Sequence, residues 1–157
     1  MIPKILVLHG PNLNLLGVRE PAIYGTATLG EIDERLRVRG LALGLEIRCV
    51  QSNREGELVD QIQAARHWAR GLIINPAGYS HTSVAIRDAL AAVALPAIEV
   101  HLTNPSAREP FRQVDLVAGA CLGVVAGLGK SGYEVALEHL ARLLRPVAAD
   151  AEVATSS

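Results

Sequence analysis

Aromatic residues make up only 3% of this 157-residue chain, with one Phe, one Trp and three Tyr. So few rings argue against a protein that stacks on bases or covers a flavin. An excess of one charge is missing too, since 15 basic against 16 acidic residues leave a formal net charge of −1. A general polyanion or nucleic-acid binder would carry a basic stripe, and none is visible. Two cysteines, Cys49 and Cys121, are too few and too widely spaced for a disulfide framework or a zinc knuckle. They read as buried thiols in a reducing compartment. No apolar run approaches the roughly 20 residues that span a bilayer. No small-residue cleavage site follows the short apolar start, Met1 to Leu8, so no secretion signal is expected and a cytoplasmic location is.

What the chain does have is aliphatic residues. Half of it is apolar and 20% is charged, which excludes long disorder. The charged share lies below the roughly 25% typical of soluble domains, which points to surface hidden in an oligomer. The length fits one domain, expected over residues 1–146, with 147–157 as a disordered tail.

Short β-branched runs alternate with helical patterns. Strands are expected at Ile5–Leu8, Glu46–Val50, Leu72–Ile74, Ala97–Val100 and Leu122–Ala126. Between them, Thr28 with Glu31 makes a capping box, and Leu29, Ile32, Leu36 and Leu43 form an apolar stripe behind it. Ser52 with Glu55 predicts a second capping box, ahead of a helix with Leu58, Val59, Ile62, Ala65 and Ala69 on one face. Further helices are expected from Ser83 to Val93 and from about Ser131 to Pro146. Five strand-helix alternations predict an α/β fold: a flavodoxin-like three-layer sandwich around a five-stranded parallel sheet. All strands then point their carboxyl ends to one edge, where ligands bind.

The polar residues gather at that edge. Asn12 and Asn14 follow strand one, and Asn75 and His81 follow strand three. Glu99, His101, Thr103 and Asn104 close strand four, with Arg108 and Arg112 in the connection after it. Ordinary Asn-Pro turn chemistry, at Asn75-Pro76 and Asn104-Pro105, accounts for part of this. Two glycine motifs mislead. Gly127-Leu-Gly129-Lys-Ser-Gly132 matches a dinucleotide fingerprint, but it lies on the last strand with no strand after it to carry the ribose-binding acid. Val124 stands where a P-loop needs its first glycine. A turn that packs a helix closely against the sheet is the better account. The first acidic residue is Glu20, so no acidic magnesium cluster follows strand one. His81, His101, Glu99 and Asp88 are suitable metal ligands without tight ligand spacing. His67 and His139 are expected in helices facing solvent, and His9 in hydrogen bonding at a strand end. The loop from Gly17 to Gly25 is the most informative, because it pairs Arg19 with Tyr24. Free tyrosine titrates near pH 10, and a nearby cation favours its anion, so Tyr24 is a candidate base. Simple packing of Tyr24 over the loop is the plain alternative.

These blocks resemble type II 3-dehydroquinate dehydratase. The resemblance rests on His9-Gly-Pro-Asn-Leu-Asn-Leu-Leu-Gly17, Arg19-Glu-Pro, Ile23-Tyr-Gly25, Gln51-Ser-Asn53 and Glu55-Gly-Glu-Leu58. It continues through Ile74-Asn-Pro-Ala-Gly78, His81-Thr-Ser83, Glu99-Val-His-Leu102, Ala107-Arg-Glu109, Phe111-Arg112 and Gly127-Leu-Gly129, in order and at the family's spacing. It implies an anti elimination of water from 3-dehydroquinate without metal, cofactor or Schiff base, in a dodecamer built from four trimers. It also implies roles. Tyr24 would be the base, steadied by Arg19, and Asn12 would hold a water against the enolate oxygen. His101, oriented by Glu99, would be the acid. Asn75, His81 and Arg112 would contact substrate hydroxyls, while Leu102 and Thr103 offer backbone N–H groups to its carboxylate. Asp88 would come from a neighbouring subunit. Thr103, Ser106 and Gln113-Val-Asp115 depart from the commonest residues of the family, which is expected to bear on affinity and trimer packing more than on chemistry. A non-catalytic module that holds a small carboxylate with its arginines is the rival reading.

Overall fold

Each apolar run becomes a strand of one parallel sheet in the computed structural model, which describes residues 1–146. In chain order the main elements are β1 (Lys4–His9), α1 (Pro21–Tyr24), α2 (Leu29–Ala42), β2 (Glu46–Gln51) and α3 (Glu55–Ala65). Then come β3 (Gly71–Asn75), α4 (Val84–Val93), β4 (Ala97–His101), β5 (Gly123–Ala126) and α5 (Ser131–Leu144). The strands lie in the order β2-β1-β3-β4-β5, the doubly wound order expected of a flavodoxin-like fold. The tail assigned to 147–157 falls outside the described residues. Among the described residues, no helix is long and apolar enough to cross a membrane.

Alternation along β1 divides the interior in two. Ile5 and Val7 face α2 and α5, with Ile32, Leu36, Leu137 and Leu140, while Leu6 and Leu8 face α3 and α4, with Leu58, Ile62, Ile86 and Leu90. Both faces of the sheet are covered, as a parallel sheet requires. Gly40 lets α2 approach β2, because a Cβ there would lie 2.4 Å from Ile47 Cγ1.

Caps set the helix starts, with one correction. Thr28 accepts from the Glu31 N–H at 3.2 Å as expected, and Ser83 caps α4 by accepting from the Ile86 N–H at 2.9 Å. Ser52 does not cap α3, which starts at Glu55 after Arg54. Its hydroxyl instead accepts from the Arg54 N–H at 3.0 Å and donates to Glu57 at 2.8 Å, a local turn that competes with capping. α3 also ends at Ala65, so His67 sits on a turn and Ala69 joins the same apolar cluster from beyond the helix.

The carboxyl edge of the sheet is tied by Tyr133 on α5, which is fully buried. Its hydroxyl lies 3.0 Å from His9 Nδ1 and accepts from Asn75 Nδ2 at 3.1 Å. His9 Nε2 is 2.7 Å from Asp33 Oδ1. Because the carboxylate only accepts, His9 carries its proton on Nε2 and receives the Tyr133 hydroxyl at Nδ1. Burial pushes the Tyr133 phenol well above its usual range, so it stays a donor. Tyr133→Phe leaves two buried polar groups without a partner. It is expected to cost about 1–3 kcal/mol in denaturant unfolding.

Candidate active site

Three neighbouring strands end on buried polar side chains: His9 on β1, Asn75 on β3 and His101 on β4. Asn75 and His101 open into a cleft of about 350 Å³ at the carboxyl edge. Asn75 is fixed twice, by Tyr133 and by the Ala77 N–H that its Oδ1 accepts at 3.1 Å. The segment after His101 is fixed by the glycine turn, since Gly127 N–H donates to the His101 carbonyl at 3.3 Å and Gly129 N–H to that of Leu102 at 3.0 Å. Gly127 has φ 83°, and a Cβ there would press on Asn104 Cβ at 3.2 Å. The motif that mimics a nucleotide loop therefore anchors the cleft wall carrying Leu102 and Thr103.

The other wall comes from the loop after β1. Asn12 lines the cleft with φ 69°, a conformation asparagine tolerates, and its N–H donates to Asn53 Oδ1 at 3.0 Å. Asn14 is outside the cleft lining and faces Gln51. Arg19 and Tyr24 line the cleft from a loop that turns at Glu20, φ 36°, and at Gly25, φ 83°. The Arg19 guanidinium lies 4.4 Å from the Tyr24 ring centroid and that of Arg108 5.2 Å. Two guanidinium groups thus face one tyrosine ring, within the range of cation–π attraction. Arg108 was expected only in the connection after β4; its reach to Tyr24 is a property of the fold. It also donates to Thr103 Oγ1 at 3.4 Å.

His81 and Arg112 complete the cleft. His81 donates from Nδ1 to the Val114 carbonyl at 2.6 Å, which leaves Nε2 as the nitrogen for a ligand. Arg112 pairs with exposed Glu109 and holds that carboxyl below its usual range. Asp88 is exposed on α4 and does not line the cleft.

Behind the cleft lies a charged cluster. His101 Nε2 is 3.4 Å from Oε2 of fully buried Glu99 and 3.7 Å from Oδ2 of Asp115. Burial opposes charge on His101, but the contacts to Asp115 and Glu99 outweigh it and raise the imidazole to about 9. Burial lifts the Glu99 carboxyl to about 7 against the pull of His101. Asp115 is held well below its usual range despite burial, by contacts to His101 and Glu99 and by the Ala118 and Val117 N–H groups. His101 therefore holds a proton at neutral pH. Asp115, part of the Gln113-Val-Asp115 departure expected to bear on affinity and trimer packing more than on chemistry, thus reaches the His101 imidazole. Gln113 does serve the loop, donating to the Pro105 carbonyl at 2.9 Å, and Ser106 takes the Asn104 side-chain cap at 3.1 Å.

Ligand atoms of Glu99, His101 and Asp115 lie within 4.8 Å of one another, close enough to hold a metal ion. So do those of His9, Asp33 and Cys49, although His9 and Asp33 already satisfy each other. Neither set matches the four suitable ligand residues noted in the sequence, since His81 and Asp88 belong to neither. Both cysteines are free and half-buried, and burial pushes the Cys121 thiol up to about 12.

A flavodoxin-like sheet with a cationic cleft and a proton-holding imidazole at its carboxyl edge defines an α/β acid–base enzyme. The family model described as "Dehydroquinase class II" matches residues 3–141. The chain is 54% identical over 149 residues to "3-dehydroquinate dehydratase 2" of Pseudomonas putida, covering 95% of this chain and 100% of that one. It is 57% identical over 145 residues to "3-dehydroquinate dehydratase" of Phenylobacterium zucineum, covering 92% and 100%. The crystal structure of the type II dehydroquinase from Propionibacterium acnes superposes with TM-score 0.87 at 45% identity, covering 90% of this chain and 98% of that one. The chain belongs to the class II dehydroquinase family.

The cluster sets a direction for stability against pH. His101 rises on folding from 6.5 to about 9, so its contribution is complete below pH 6.5 and lost as pH rises through about 9. Glu99, raised from 4.5 to about 7, has the same sign in a lower window. Thermal melts are expected to fall between pH 6.5 and about 9, and His101→Gln to flatten that fall.

Proposed function

We propose that this chain removes water from 3-dehydroquinate to give 3-dehydroshikimate, as a step of the shikimate pathway, in the cleft at the carboxyl edge of the sheet. The reading rests most on one observation: Tyr24, faced by two guanidinium groups, and buried His101 line the same cleft. Tyr24, as phenolate, takes the proton beside the ketone, and the electron pair left behind forms an enolate. Arg19 offsets the charge on both, and Asn12 holds a water against the enolate oxygen. A preorganised donor at that oxygen contributes roughly 3–4 kcal/mol. As the enolate collapses, the carbon–oxygen bond of the leaving hydroxyl breaks, and His101 protonates that oxygen so that it departs as water. Nε2 of His101 faces the two carboxylates, so the other ring nitrogen is the one that serves the cleft.

Substrate binding follows from the remaining lining. Asn75, with one N–H left after Tyr133, and His81, through Nε2, suit hydroxyl groups, as does Arg112. Leu102 and Thr103 bring backbone N–H groups to the carboxylate. Asp88, exposed on α4, reaches a neighbouring subunit's cleft in a homododecamer of four trimers. The enzyme works as one catalytic domain over 1–146, in the cytoplasm. A carboxylate-binding module needs only the arginines, and gives no account of a fully buried carboxylate beneath His101.

The reaction is read by the ultraviolet absorbance of the conjugated product. Tyr24→Phe and His101→Ala are each expected to lower kcat by about 10²–10⁴-fold with an unchanged circular dichroism spectrum. Near-normal turnover in either variant removes that residue from the mechanism. Because side chains carry both proton transfers, treatment with a chelator is expected to leave kcat unchanged, and a loss restored by added metal would contradict this.

A further inference from the structure

The contact between Asp115 and His101 is not explained by Glu99 alone. A single N–H, on His101 Nε2, faces two carboxylates, Glu99 Oε2 at 3.4 Å and Asp115 Oδ2 at 3.7 Å. Neither Glu99 oxygen nor His101 Nε2 makes a hydrogen bond of good geometry within the described residues, although all three atoms are buried. Asp115 is different. Its Oδ1 accepts from the N–H groups of both Val117 and Ala118 at 3.0 Å, which fixes the carboxylate and turns Oδ2 toward the imidazole. Its side chain also keeps 26% exposure, so its charge costs less to maintain than that of fully buried Glu99.

We infer that Asp115 is a positioning residue for His101 and its standing counter-ion. This rests on the reading of His101 as the acid. The titration directions agree, since Asp115 is held well below its usual range while burial lifts Glu99 to about 7. An acid that must be reloaded in every cycle gains from a fixed anion that keeps its proton available. The other ionisable groups facing His101 are Arg19, Tyr24, His81, Arg108 and Arg112 across the cleft, with Cys121 beside the two carboxylates. The four basic side chains bring no negative charge of their own to His101, so Asp115 and fully buried Glu99 are the two carboxylates that face it.

The test is Asp115→Asn in the full-length chain, which keeps an oxygen for the Val117 and Ala118 amides. Asp115→Ser keeps a hydroxyl there and serves as the second variant should the first fold poorly. Proton NMR follows the five imidazoles against pH, with His101 assigned through His101→Gln. The His101 midpoint, near 9 in the native chain, is expected to fall by about one pH unit or more. The alkaline limb of kcat is expected to move down with it, at an unchanged KM. An unmoved midpoint in a folded variant overturns the proposal. The midpoint decides the role of Asp115 by itself, whereas a native chain that fails to turn over 3-dehydroquinate overturns the dehydratase reading instead.

Discussion

A parallel sheet delivers every strand end to one edge, and here three adjacent strands deliver side chains that cannot be left unpaired. His9, Asn75 and His101 are the last residues of β1, β3 and β4, and all are buried. Two solutions sit side by side. His9 and Asn75 are joined through the Tyr133 hydroxyl and closed by Asp33. That network fixes the sheet edge against α5 and leaves one Asn75 N–H toward the cleft. His101 meets two carboxylates instead, in contacts too long to count as good hydrogen bonds. The first arrangement holds the floor still; the second keeps a proton loaded beside an open cleft.

The loop that brings Tyr24 obeys the opposite logic. It is mostly exposed, contains a single helical turn, and bends at residues with positive φ. Tyr24 packs at the edge of the apolar cluster between the sheet, α2 and α5, and the Arg108 guanidinium reaches its ring from the connection after β4. Tyr24 on such a loop and His101 on a sheet edge thus enter the cleft from a lightly packed segment and from the rigid scaffold.

Most of the scaffold was legible in the sequence because its signals are local. Thr28 with Glu31 marked a helix start, and short apolar runs with glycine or proline after them marked strands. Parallel topology then placed Asn75 and His101 at one edge without further information. Arg19 and Tyr24 stood out through glycines on either side. What could not be read depends on the third dimension. Asp115 lies in an irregular connection with no periodicity to aim it, and only the turn made by the Val117 and Ala118 N–H groups directs it to His101. Tyr133 matched the spacing of a core position on α5, so its hydroxyl gave no sign of the polar pair it joins. Ser52 misled because a serine three residues before a glutamate fits both a cap and a local turn, and Glu57 drew it into the latter.

The central claim is that Tyr24 and His101, entering one cleft from different elements, remove a proton and a hydroxyl from opposite faces of 3-dehydroquinate. Stereospecific deuteration at the carbon beside the ketone tests it most directly. With the label anti to the leaving hydroxyl, the product is predicted to lose deuterium; with the label syn, to keep it. Loss of the syn label, or of both labels at equal rates, would contradict the account.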